Sequence, residues 1–312
     1  MLNVRILATL LTTLLLLTSA SSSWAYRIGF SQVTTTEPWR VLFNKQLRAE
    51  AMKHPDIQLF IADGQDRTEK QVADVQSFIQ QKVDIILLAP KESAGLTAVV
   101  KEAMEAGIPV IVLDRKINGD DFTQFIGGNN LEIGRQAGRK ALALLGGEGM
   151  AQGNIVEIWG GMGSTPAHER HQGFVDALQK EKNLNWLVDR QDGDWKQDKA
   201  YNIMSNALRA HPKIDLVYAH NDPMAFGAFL AARDAQREKD IFFLGVDAIP
   251  KEGALWVKRG FLTATFVYPA PGVKALQEAL RLLKGEKLEK HIDLPTQTID
   301  KSTVDAYLNA NR

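Results

Sequence analysis

The chain is expected to fold as an α/β protein with two lobes, each built on a parallel sheet covered by helices on both sides. Three observations predict this. From Tyr26 onward, short apolar runs alternate with amphipathic segments, the order that yields parallel strands joined by crossover helices. The runs are rich in Ile, Val, Leu and Phe and nearly continuous in hydrophobicity, as strands covered on both faces are. Roughly five strand–helix units precede the glycine-rich stretch 146–153 and four to five follow it, which suits two sheets better than one.

The elements follow in chain order. Met1 to Arg5 carries one positive charge, Ile6 to Leu17 is apolar, and Thr18 to Ala25 is mostly small and polar, ending Ser23-Trp24-Ala25. This reads as a secretory signal peptide cleaved after Ala25. The apolar run, at about 12 residues, falls short of the ~20 that a bilayer span requires. Strands are expected at Tyr26–Val33, Ile57–Ala62, Asp84–Ala89, Pro109–Asp114 and Phe122–Ile126. Between them, helix Pro38–Met52 starts with proline in its first turn and Thr36 as its cap. Helix Thr68–Val83 sets Val72, Val75, Phe78 and Ile79 on one face, and Ala94–Ala106 stops at Gly107-Ile108-Pro109. The chain is expected to cross to the second lobe near Gly127–Asn130. Helices Leu131–Leu145, Pro166–Glu181, Lys196–Ala210, Pro223–Ala235 and Pro269–Leu283 then alternate with strands Asn154–Trp159, Trp186–Gln191, Ile214–Ala219, Ile241–Val246 and Leu262–Val267.

Composition removes several function classes. Without the first 25 residues, 36 basic residues stand against 37 acidic ones, so nothing marks a nucleic-acid binder or a polybasic membrane anchor. There is no cysteine, hence no disulfide and no lipid-accepting thiol. The six histidines are scattered. His168 and His171 have a spacing that suits a metal, but a helix start explains them equally well, and no metal or cofactor is expected. No Gly-x-Ser-x-Gly elbow, no phosphate-binding Gly-x-x-x-x-Gly-Lys loop and no Gly-x-Gly-x-x-Gly after the first strand occurs. The loop from Gly160 to Thr165 follows a strand and precedes a helix, and is expected to bring backbone close to a ligand.

Polar residues gather at the carboxyl ends of the expected strands: Ser31-Gln32, Asp63-Gly64-Gln65, Lys91, Asp114-Arg115, Asn221-Asp222 and Asp247. Ligands of open α/β sheets bind outside those ends. Carboxylates that accept, guanidinium groups that donate in a fork and amides that do both suit a polyhydroxylated ligand. Trp39 and Trp195, each beside such residues, are the candidates for stacking on its C–H faces. Taken singly, Asp63-Gly64, Asp192-Gly193 and Asn221-Asp222 are also ordinary turn and cap residues.

The order Gly29-Phe30-Ser31-Gln32, Trp39-Arg40, Ile61-Ala62-Asp63-Gly64-Gln65, Leu113-Asp114-Arg115 and Tyr218-Ala219-His220-Asn221-Asp222 resembles the periplasmic sugar-binding proteins of ABC importers. These are the ribose/galactose-binding group, whose fold is shared with the ligand domains of LacI-type repressors; the galactofuranose binders are the closest in pattern. The resemblance covers Tyr26 to about Leu283. It implies a type 1 periplasmic binding fold: two Rossmann-like lobes that close like a venus flytrap and are joined by three crossing segments. Residues 26–128 with about 268–297 would form the first lobe, and 129–267 with about 298–312 the second. It also implies that Asp114 and Arg115 bind sugar hydroxyls, with Ser31, Gln32, Trp39, Arg40 and Asp63 near the same pocket. Arg170, Trp195, Asn221 and Asp247 match the second lobe's arginine, aromatic, amide and carboxylate. Lys91, Asn130, His168 and Phe266 are secondary candidates; His168 stands where ribose binders have an extra arginine, and Phe266 is aligned with their glutamine before the last crossing. The implied ligand is a pentose or hexose, with a furanose ring in view. The implied protein is a periplasmic monomer that serves an inner-membrane ABC permease and is not an enzyme. A sensor presenting its sugar to a receptor kinase or chemoreceptor is the main alternative, and a sugar-modifying enzyme the weaker one.

Overall fold

The structure, a computed structural model, describes residues 26–311. The expected signal peptide lies outside them. Two six-stranded sheets form the frame. The first half runs β1 (Tyr26–Gln32), α1 (Pro38–Ala51), β2 (Ile57–Asp63), α2 (Thr68–Gln80), β3 (Ile85–Leu88), α3 (Ser93–Glu105), β4 (Val110–Leu113) and β5 (Gln124–Gly128). The chain then enters the second sheet: α4 (Asn130–Leu144), β6 (Gln152–Trp159), α5 (Thr165–Leu178), β7 (Asn183–Asp192), α6 (Gln197–Ala210), β8 (Leu216–Ala219), α7 (Asp222–Asp234), β9 (Phe242–Asp247), α8 (Gly253–Lys258) and β10 (Ala264–Val267). It returns through α9 (Gly272–Leu283) to β11 (His291–Leu294) in the first sheet. A last crossing leads to β12 (Thr298–Asp300) in the second sheet, followed by α10 (Val304–Ala310).

The strand orders are β11-β5-β4-β3-β1-β2 and β12-β10-β9-β8-β6-β7. Every pairing is parallel except β10 with β12. In each sheet the order reverses around one strand, β1 in the first and β6 in the second. Crevices open at such switch points, beyond the carboxyl ends of the strands.

Burial explains the continuous apolar runs. In β3, Ile85 and Leu87 face Phe43 and Leu47 of α1 and Leu276 of α9 within one core cluster. Their neighbours Ile86 and Leu88 face the opposite cluster, with Val75 and Phe78 of α2 and Val100 of α3. A period of two with apolar residues on both faces leaves no room for a polar alternation. The face of α2 read from the sequence holds: Val75 and Phe78 are buried, and Val72 and Ile79 pack against them. That helix stops at Gln80, short of the expected Val83, because Lys82 takes a left-handed turn at φ 51°. Thr36 does not cap α1. Its hydroxyl bonds Thr34, and the cap position belongs to Glu37, whose carboxylate accepts from Arg40 Nε one turn on at 3.2 Å.

The two halves touch beyond their carboxyl edges. Lys116 Nζ reaches Glu169 Oε1 at 2.6 Å and Lys196 Nζ reaches Asp66 Oδ2 at 2.9 Å. Thr165 Oγ1 accepts from the Lys116 amide at 3.0 Å, and the Gly163 carbonyl accepts from the Ser93 amide at 3.1 Å. Among the described residues no helix is long and apolar enough to cross a membrane.

Candidate functional site

A cavity of about 350 Å³ lies between the halves, at the carboxyl ends of β4, β8 and β9. Its first wall is built on Asp114, directly after β4. The strand is wholly buried, so the backbone there has one place to go, and Asp114 turns into the left-handed region at φ 66°. Its side chain, 4% exposed as a residue, is held from two sides. Arg40 Nη2 donates to Oδ2 at 3.1 Å, and the Tyr268 hydroxyl donates to Oδ1 at 2.7 Å. Arg40 also donates to Gln32 Oε1 at 2.7 Å, and Gln32 in turn donates to Asn44 at 3.0 Å. Burial works against the Arg40 charge, but Asp114 and Glu37 outweigh it and raise its pKa. Trp39 completes this wall: its indole N–H donates to the Tyr268 carbonyl at 2.9 Å, and the two rings stack at 5.1 Å.

The second wall centres on Arg170, buried at 2% exposure. Its Nε donates to Asn130 Oδ1 at 2.9 Å, its Nη1 to the His220 carbonyl, and its guanidinium lies 4.5 Å from the Tyr268 ring centroid. Behind it, Glu157 joins two histidines, at 2.9 Å from His220 Nε2 and 2.8 Å from His171 Nδ1. The Gly160 amide donates to His220 Nδ1, so a neutral His220 carries its proton on Nε2 and gives it to Glu157. Burial lowers the pKa of His220 and keeps it neutral. Trp195, at φ 64°, presents its ring beside Arg115 at 5.1 Å and Arg170 at 5.5 Å.

Gly160 and Gly161 have a purpose other than the expected backbone approach to a ligand. The space a Cβ would fill at Gly160 holds the ring of Trp195, and at Gly161 its indole nitrogen. The glycines seat the aromatic wall.

Asp247 and Glu252 supply acceptors. The Asp247 carboxylate lines the cavity and has no hydrogen-bonded partner among the described residues. Burial, and then the neighbouring Asp222, push its pKa well up. Burial also raises Glu252 and lifts Asp222 to about 7.

Of the residues named from sequence, Trp39, Arg40, Asp114, Arg115, Arg170, Trp195, Asn221 and Asp247 line this cavity. Asn221 also caps α7, accepting from the Met224 amide at 2.9 Å while donating to the Trp195 carbonyl at 3.0 Å. Other named residues stand behind the wall or away from it. Ser31 is fully buried and donates to Asp74 at 3.0 Å. Gln32 braces Arg40. Asp63 accepts from the Thr35 hydroxyl at 2.7 Å and from the Gln65 amide at 2.9 Å. Lys91 Nζ bonds Asp66 at 2.8 Å, outside the cavity. Asn130 orients Arg170. His168 bonds the Met162 carbonyl at 2.7 Å. Phe266 is core, fully buried in β10. The cavity position assigned to it belongs to Tyr268, two residues on and hence on the same side of an extended chain. Glu37, Glu252 and Trp256, absent from the sequence reading, also line the cavity. Among the described residues no cluster of His, Cys, Asp or Glu is arranged to hold a metal ion.

Known proteins resemble this chain in sequence and in fold. A family described as the periplasmic binding protein domain matches residues 28–287. The galactofuranose-binding protein YtfQ of Escherichia coli K12 is 35% identical over 231 residues, 72% of this chain and 71% of that protein. Among solved structures, the fructose-binding periplasmic domain of a hybrid two-component system superposes with a TM-score of 0.87 at 40% identity, covering 92% of this chain and 94% of that one. The binding protein of the arabinose ABC transporter from Shewanella sp. ANA-3, bound to α- and β-L-arabinofuranose, superposes with a TM-score of 0.84 at 32% identity, over 92% and 95%. With a family match across most of its length and the same two-sheet architecture, this chain belongs to the periplasmic binding protein domain family.

Proposed function

We propose that the protein captures a neutral monosaccharide, in furanose form, between its two halves and delivers it to an inner-membrane ABC importer. One observation carries the reading: the charges around the cavity neutralise one another and leave unpaired hydrogen-bonding capacity between aromatic faces. Arg40 is consumed by Asp114, Glu37 and Gln32. Asp247 remains as an acceptor, and the Nη2 groups of Arg115 and Arg170 have no bonded partner among the described residues. A ring with several hydroxyls fills such a set, whereas a phosphate or carboxylate would add charge beside Asp247 and Glu252. A volume of about 350 Å³ sits at the small end of ligand cavities. The furanose reading draws on the sugars named for the relatives above.

In this reading residues 26–128 with 268–297 and residues 129–267 with 298–312 are lobes that close on the sugar. The first 25 residues direct export to the periplasm and are removed. In this reading the protein binds its sugar without turning it over; incubation with the sugar followed by product analysis would reveal any turnover. A sensory role is the second reading, favoured by the relative that belongs to a hybrid two-component system. Stimulation of a reconstituted importer's ATPase, against activation of a receptor kinase, separates the two.

Thermal melting tests the ligand class. D-Fructose, L-arabinose, D-galactose and D-ribose are added in turn, with amino acids, nucleotides and sugar phosphates as controls. A ligand at a hundredfold excess over Kd stabilises by about 2.7 kcal/mol. A clear rise is expected for one or two neutral sugars. A rise only with an amino acid or a phosphate would end this reading.

The bridges across the cleft lead to a smaller effect. Lys116 and Glu169 are both partly exposed, and such pairs contribute up to about 1 kcal/mol. Glu169→Gln is expected to raise the sugar's dissociation rate by less than about fivefold, and only at low salt. Stopped-flow release at low and high salt measures it; a large effect that persists in high salt would mean that Glu169 does more than bridge the lobes.

A further inference from the structure

β9 ends in a turn that residues carrying a Cβ avoid. Asp247 has φ 125° and Ala248 φ 55°. Such a conformation persists where its surroundings over-determine it, and it tends to mark a working part of a site. Asp247 is the carboxylate that the binding reading leaves open for the ligand.

Two side chains hold this turn, one at each end of the Ala248 backbone. Asp222 Oδ2 accepts from the Ala248 amide at 2.7 Å, and the Tyr307 hydroxyl donates to the Ala248 carbonyl at 3.0 Å. Asp222 opens α7 and is 1% exposed, while Tyr307 comes from α10, near the end of the chain. Room for the Asp222 carboxylate is made by Gly245 and Gly253, where a Cβ would overlap it. A carboxylate buried this deeply, with the Ala248 amide and the Thr265 hydroxyl as its neighbours, is costly as a purely structural acceptor.

We propose that Asp222, seconded by Tyr307, is a positioning residue: it clamps the strained Asp247–Ala248 turn and so aims the Asp247 carboxylate at the bound sugar. This rests on the binding reading above. The clamp has an electrical side. Asp247 feels Asp222 from α7, Arg170 from α5, Asp114 after β4 and Glu252 before α8. Tyr307 and Tyr268 stand nearby as neutral hydroxyls. Arg170 is the one cation of this group, and the repulsion from Asp222 favours a proton on Asp247. Sugar hydroxyls donate more strongly to the ionised carboxylate than to the protonated one, so affinity falls as pH drops through the titration of the pair.

Asp222→Asn, Asp222→Ala and Tyr307→Phe test this, with D-fructose and L-arabinose as probes in calorimetric titrations from pH 5.5 to pH 8. Asparagine keeps an acceptor for the Ala248 amide and removes the charge. It is expected to stay within about threefold of wild-type affinity at pH 8 and to move the acid limb to lower pH. Alanine releases the turn and is expected to weaken binding about tenfold to a hundredfold at pH 8, while the protein still unfolds cooperatively. Tyr307→Phe is expected to fall between these. Equal affinities for the alanine variant and wild type would overturn the proposal, as would an unmoved acid limb in the asparagine variant. Carboxyl-carbon NMR of Asp247 in sugar-free protein adds a readout that needs no ligand: its midpoint falls in Asp222→Asn, and an unchanged midpoint refutes the electrical side. If wild type binds neither these probes nor any other sugar, the binding reading fails, while the Asp247 midpoint still decides whether Asp222 acts on it.

Discussion

Asp114→Ala is expected to destabilise the sugar-free protein by about 3–5 kcal/mol, the range for removing one partner of a buried ion pair, and to abolish measurable sugar binding. A strand-end carboxylate read from sequence as a ligand contact would be water-solvated when the cleft is empty, and its loss would leave the fold almost untouched. The structure replaces that expectation. Asp114 is 4% exposed and is the shared acceptor of Arg40 and Tyr268. Its removal strands Nη2 of a buried guanidinium whose remaining partners, Glu37 and Gln32, take Nε and Nη1. Alanine also fits poorly at φ 66°, where asparagine is tolerated. Asp114→Asn is therefore expected to keep the fold with a smaller loss, about 1–2 kcal/mol, because Oδ1 can still accept from Arg40. Urea denaturation without sugar, beside calorimetric titration of both variants, measures the two effects. An alanine variant as stable as wild type would show that the Arg40–Asp114 pair carries no weight in the fold.

How much of the fold could be read in the sequence follows from burial. The segments Ile85–Leu88 and Val110–Leu113 are covered on both faces, so every residue is apolar and the run is unmistakable. The strands β11 and β12 gave no such signal. His291–Leu294 alternates exposed with half-buried positions at the sheet edge, and Thr298–Asp300 is three residues long. Their existence is decided by pairing with β5 and β10, which local pattern does not contain. Helices α8 and α10 are likewise short and take their place from the sheet beneath them.

The site was legible to the extent that strand ends locate it. Asp114, Arg115, Asn221 and Asp247 stand at the carboxyl ends of β4, β8 and β9, and those ends border the cavity. Adjacent residues at the same ends point to opposite faces, and that choice was invisible. Ser31 turns toward Asp74 of α2 while Gln32 turns toward Asn44 of α1. Both support the wall without lining it. Tyr268 was missed because the register at the end of β10 was set two residues early; its side is the same as that of Phe266, but Phe266 is one step deeper in the core. Glu252 and Trp256 belong to a loop and a short helix with no periodicity to place them.

Arg170→Met is expected to weaken sugar binding by at least about 3 kcal/mol, more than a hundredfold in Kd. The guanidinium is the hub of the second wall. It fixes Asn130 and the His220 carbonyl, lies over Tyr268, and borders Trp195. Methionine fills the volume but leaves two buried acceptors unpaired, each costing about 1–3 kcal/mol, and some of that falls on the sugar-free fold. It also removes the cation that lowers the pKa of both Asp247 and Asp222. Their carboxyls, already raised by burial, rise further, and Asp247 holds its proton to higher pH. The acid limb of the affinity profile therefore moves up in pH, opposite to the shift expected for Asp222→Asn. Arg170→Lys separates charge from geometry. Its ammonium still opposes protonation of Asp247, so the limb stays near its wild-type position. A single point charge cannot span Asn130 and the His220 carbonyl together, so affinity still falls at every pH. Titrations of the three proteins across pH 5.5–8 distinguish these outcomes. A methionine variant with a wild-type acid limb and less than about a tenfold loss would remove Arg170 from the electrostatic control of the site.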